Sequence, residues 1–124
     1  MAATGLPERR IGLISIIDRR EIEFDARALI GVIAESLARV QAIGLPPQRP
    51  VGIDFDPAGN RIVCQYEGHA PAALGAERLG ALLVSYCIRA HIPLPHLPDK
   101  AIRIGAGSVV IALVTHYEDV PAGR

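Results

Sequence analysis

The side chains here that could carry chemistry are four histidines, two cysteines and two Tyr-Glu pairs that close apolar runs. Cys87 and His91 stand four apart in a segment of helical periodicity, and His96 follows in the next loop. A thiolate with two imidazoles can hold zinc, but a closed site needs a fourth ligand, and no Cys-x2-Cys element supplies one. Cys87 also falls beside an apolar arc, where cysteine behaves as a small hydrophobe. Cys87, His91 and His96 are therefore weak metal candidates, and no cofactor is expected. Tyr66-Glu67 and Tyr117-Glu118 end two runs of similar character, with His69 and His116 alongside. Imidazole titrates near neutrality and, beside a carboxylate and a phenol, suits general acid–base work. The plainer reading of the same residues is the solvated ends of strands, which carry polar residues and amphipathic tyrosine. Tyr66, Glu67, His69, His116, Tyr117 and Glu118 are thus weak catalytic candidates.

No Ser–His–Asp, Cys–His or phosphate-loop signature is present. Gly105-x-Gly107 opens a strand and lacks the helix N-terminus that a dinucleotide or phosphate site uses. Pro47-x-x-Pro50 and Pro95-x-x-Pro98 have the spacing of polyproline ligands. Each directly follows a helix, where prolines act as stop signals and stiff connectors.

With 124 residues, the chain is long enough for one domain with its own core. Half of it is apolar and 21% charged, which fits a globular class. Thirteen basic residues balance thirteen acidic ones, leaving no net field for nucleic acid or an anionic membrane. Aromatics make up 4%, and the candidate central strands at 10–17 and 61–66 offer only Tyr66 for base stacking. No nucleic-acid or membrane partner is expected. The uncharged run Leu79–Ile88 and the run Ile104–Tyr117 both fall short of the ~20 residues needed to cross a bilayer. Met1–Arg10 lacks the apolar stretch of a secretory signal. A cytoplasmic location follows as the expectation, with Cys64 and Cys87 kept as reduced thiols.

Periodicity places the elements. Ile11–Ile17, rich in β-branched residues, reads as a strand. Asp18 has the spacing of a capping box and Asp25 offers a second N-cap, so either a helix starts at Asp18 or a short strand Glu21–Phe24 precedes one at Asp25. Ile22, Ala26, Leu29, Ile30, Ile33, Leu37 and Val40 form one helical stripe, and Glu35–Arg39 is a favourable i,i+4 pair. Strands follow at Val51–Phe55 and Arg61–Tyr66, joined by a hairpin through Pro57 and Gly59-Asn60. A second helix is expected over Ala72–His91, then strands at Ala101–Ile104 and Val109–Tyr117. Residues 1–9 and 120–124 read as loose tails.

The elements look written twice. A shift of 49 lays Ile30-Gly31 on Leu79-Gly80, Ile33 on Leu82, and Ile53 and Phe55 on Ile102 and Ile104. One α+β domain with an internal duplication, approximately 10–55 and 61–104, is the expectation. Its expected topology is a ferredoxin-like βαββαβ, with strands one and three central in one antiparallel sheet and a fifth strand added at the C-terminus. The alternative is a two-copy αββ layout with a peripheral N-terminal segment.

The copies differ on their outer faces. Ala81, Val84 and Ile88 form a second apolar stripe on the second helix, and Val110, Ala112 and Val114 a second apolar face on the last strand. Elements apolar on two faces need covering on two faces. A homodimer interface through Ala81, Val84, Ile88, Val110, Ala112 and Val114 is expected. The function class favoured is a non-catalytic adaptor, assembly or regulatory binding domain, with another protein as a further partner. The alternative is a small-molecule enzyme with its Tyr/Glu/His site near the strand ends or between subunits.

Overall fold

The computed structural model describes residues 13–94 and 99–121, with side chains over 14–94 and 99–116. It is a mixed α+β fold. In chain order it runs β1 (Leu13–Asp25), α1 (Ala26–Glu35), α2 (Leu37–Ala42), β2 (Gly52–Asp56), β3 (Arg61–Tyr66), β4 (His69–Gly75), α3 (Ala76–Arg89), β5 (Asp99–Ile104) and β6 (Ser108–Pro121).

The single expected sheet is replaced by two three-stranded antiparallel sheets, ordered β1-β6-β5 and β2-β3-β4. The first strand pairs with the last, and the third lies at the centre of the other sheet. The cause is His69–Gly75, which was expected to lead into a helix from Ala72 and instead forms β4 along β3. Pro71 sits on this edge strand, where its missing N–H breaks no ladder, and the register slips beside it between Cys64 and Tyr66. The helix then starts at Ala76 and stops at Arg89.

At the N-terminus Asp18 does not start a helix. Leu13–Asp25 is one strand, with Ile22 and Phe24 facing inward and Arg19, Glu21 and Glu23 outward, the period of two that pairing with β6 requires. Asp25 is the N-cap; its carboxylate accepts from Ala28 N at 2.9 Å. The first helix breaks at Ser36 (φ −126°, ψ 39°), so Glu35 and Arg39 fall in different helices and do not pair. Val120 and Pro121, read as tail, pair with Ile14 and Leu13.

One apolar cluster joins these parts. Phe24, Ile62, Cys64, Leu74, Ile104, Val109, Ile111 and Leu113 from the sheets meet Leu29, Val32, Ile33 and Val40 of the first helical segment and Leu79, Leu82, Leu83 and Cys87 of α3. Helix α1 packs on β1 and β2, and α3 on β4 and β5, so each helix bridges both sheets. Phe24 also meets the Tyr86 ring edge-on at 6.5 Å.

Candidate binding surfaces

The acid–base candidates are dispersed. Tyr66, Glu67 and His69 surround the tight β3–β4 turn, where Gly68 takes the positive φ of 78°. Tyr66 is 7% exposed, and its hydroxyl lies against the Cys64 thiol without a sound hydrogen bond. Burial raises the Tyr66 phenol, so it stays protonated at neutral pH. Glu67 and His69 are exposed. His116 is exposed in the other sheet, opposite Ile17. Tyr117 and Glu118 continue β6, with side chains outside the described residues.

Of the metal candidates, Cys87 and His91 do not share a face. Cys87 is fully buried in the core, while the helix ends at Arg89 and His91 is exposed with φ 58°. The i,i+4 spacing thus loses its helical meaning. His96 lies outside the described residues. Among the described residues no cluster of three metal-ligating side chains occurs. Both thiols are raised by burial, Cys64 to about 11, which keeps them from the reactive thiolate form.

Among the described residues two apolar surfaces remain uncovered, and they lie on opposite sides of the β1-β6-β5 sheet. The inner face carries Val109, Ile111 and Leu113 into the core, with Ile102 beside Ile111. Helix α3 crosses this side so closely that a Cβ on Gly80 would stand 2.7 Å from Ile102 Cγ1. Ala81, Val84 and Ile88 look outward from α3 and, with Ile102, floor a groove of about 680 Å³. Ile88 is 64% exposed.

The outer face carries Val110, Ala112 and Val114, each half-buried between charged rows: Arg19, Glu21 and Glu23 on β1, and Asp99 and Arg103 on β5. The Arg103–Glu21 ion pair (3.1 Å) spans β6 over this strip. The described part of β5 pairs with β6 as far as Val114, and beyond it, among the described residues, β1 and β6 continue as a two-stranded ribbon. Ile14, Ile16 and Ile17 of the ribbon are exposed, and Ile17 faces the same side as Val114. A single two-fold contact therefore cannot cover both expected patches.

The polar margin of the α3 groove is the feature that sequence reasoning missed. Arg39 of α2 and Arg89 of α3 both donate to Ser85 Oγ, at 2.8 and 2.9 Å, and Arg89 also donates to the buried Ser36 Oγ at 2.7 Å. The available signal was the polar strip Ser85–Arg89 on α3, whose arginine has no acidic residue one turn before it. Arg39 was hidden by the expected pair with Glu35.

No helix among the described residues is long and apolar enough to cross a membrane. Comparison with family models, curated proteins and solved structures finds no match to this chain.

Proposed function

We propose that this chain is a non-catalytic, self-associating cytoplasmic domain of adaptor or assembly type, whose copies meet through the outer face of the β1-β6-β5 sheet. The observation that carries this reading is the β1–β6 ribbon. Its isoleucines Ile14, Ile16 and Ile17 are 44%, 46% and 50% exposed, and Ile17 continues the Val114–Ala112–Val110 strip. A two-stranded ribbon is marginal alone in water, and one that also exposes three large side chains calls for a cover. Among the described residues no strand pairs with β6 beyond Val114 on the β5 side, which adds edge backbone groups to the same region. A second copy related by a two-fold axis offers the same strip and edge in return. The separation of Tyr66, Glu67 and His69 from His116 favours association over catalysis, and two separate free thiols accord with a reducing compartment.

Internal duplication belongs to the same proposal, in a form that differs from the expected one. Each half is a strand, a helical segment and a hairpin: β1-α1/α2-β2-β3, then β4-α3-β5-β6. Each opening strand pairs with the hairpin of the other half. A shift of 50 relates buried Leu29, Val32 and Ile33 to buried Leu79, Leu82 and Leu83, and places the N-cap Asp25 on the N-cap Gly75. These correspondences support an ancestral unit that paired with a copy of itself by exchanging first strands.

The test uses exposed positions, where a charge costs the monomer little. Ile16→Asp with Ile17→Asp should convert the sedimenting species to a monomer of 13.2 kDa with an unchanged circular dichroism spectrum. Retention of the wild-type assembly by this variant would refute the interface.

A further inference from the structure

We propose that the groove on α3 binds an anionic amphiphile, a carboxylate or phosphate monoester on an apolar chain, with its head held by Arg39 and Arg89. The site lies on the opposite side of the sheet from the self-association surface and stands independently of it. Both guanidinium groups are within hydrogen-bond reach of one oxygen, Ser85 Oγ. Among the described residues neither is paired with a carboxylate. Like charges converging on one point repel unless an anion shares them. A guanidinium has five N–H donors, and the two serines occupy one from Arg39 and two from Arg89. Carboxylate and phosphate oxygens match the remaining forks, which bind such groups in bidentate fashion.

The rest of the groove is built for a chain. Ala81, Val84 and Ile88 of α3 and Ile102 of β5 supply its apolar lining. A volume of about 680 Å³ is that of a small-ligand site. The other charged groups at its margin are Lys100 and Glu77. Glu77 lies eight residues before Ser85, roughly 12 Å away along the helix axis, and so disfavours an anionic head at that end. Three cations against one carboxylate also argue against a second copy docking here through Val84 and Ile88. Such a contact would bury Arg39 and Arg89, which among the described residues have no carboxylate counter-charge.

The full chain is titrated with dodecanoate, dodecyl phosphate, dodecanol and dodecyltrimethylammonium. Binding is followed by calorimetry and by the methyl resonances of Val84, Ile88 and Ile102. Both anionic amphiphiles should shift these methyls and bind roughly tenfold or more tightly than dodecanol, the worth of a charge-assisted head contact. The stronger of the two identifies the head group. The ammonium compound should bind more weakly than dodecanol. Arg39→Gln with Arg89→Gln should erase the anion advantage while leaving dodecanol binding unchanged. Because these arginines also tie α2 to α3, Val84→Trp provides a second variant: it fills the groove, keeps the arginines and should abolish binding of every amphiphile. Equal binding of anionic and ammonium compounds would overturn the proposal. So would absence of methyl shifts, or an assembly that Val84→Asp dissociates and Ile17→Asp does not.

Discussion

Gly80 illustrates how one missing side chain sets a distance between elements. Its hydrogen lets α3 approach β5, and an added methyl would meet Ile102 Cγ1 at 2.7 Å and Cδ1 at 3.0 Å. Alanine gains up to ~1 kcal/mol in helix propensity, but overpacking against a β-branched neighbour costs ~1–3 kcal/mol. Gly80→Ala should therefore lower stability in urea denaturation, and Ile102→Ala in the same chain should return part of the loss, a coupling that independent sites would not give. Cys64 makes a second residue-scale prediction. Its folded pKa of about 11 stands above the ordinary 9.0, because burial disfavours the thiolate. Well below pH 9 the thiol is protonated in both states and its stabilising contribution is complete. As pH rises through 9 towards 11 only the unfolded thiol ionises, and that contribution is lost. From neutral pH to about pH 8 this thiol should leave urea midpoints level, and above that they should fall, with Cys64→Ala flattening part of the fall. Neither thiol should react with a disulfide reagent at pH 8 until the chain unfolds.

Among the elements, the helix starts show what a cap does. Asp25 caps α1 through its side chain, whereas Gly75, at the matching position of α3, offers none. Gly75 has extended φ and ψ of −72° and 160°, with open space where a Cβ would stand. Gly75→Asp should raise stability by about 0.5–1 kcal/mol, through a better cap and a less flexible unfolded chain. An unchanged urea midpoint would contradict the capping account. The β2–β3 hairpin, with Asn60 at φ 53° and Asp56 accepting from Gly59 N and Arg61 Nε, was legible because turn chemistry is local. Strand β4 was not. Ala70-Pro71-Ala72-Ala73 has neither bulk nor alternation, and it is a strand only because β3 provides its ladder. The same long-range pairing turns Asp18–Glu23 into strand, although the local spacing also fits a capping box. The Arg39–Ser85–Arg89 cluster was equally hidden, since it needs the break at Ser36 and the approach of two helical segments distant in sequence.

At the scale of the whole molecule, the apolar excess of the second half was legible, but its division between two sides of a sheet was not. Only the pairing of β6 with both β1 and β5 fixes which residues look inward. That pairing leaves the ribbon and outer strip exposed on one side and the α3 groove on the other, the two surfaces on which the proposed self-association and the proposed ligand binding rest. A specific contact through the strip would bury on the order of 800 Å² from each subunit. Sedimentation equilibrium of the wild-type chain at micromolar concentration tests this most directly. The predicted result is a single species of twice the 13.2 kDa chain mass, reduced to the chain mass by Ile16→Asp with Ile17→Asp. A wild-type chain that sediments as a 13.2 kDa monomer throughout would contradict it.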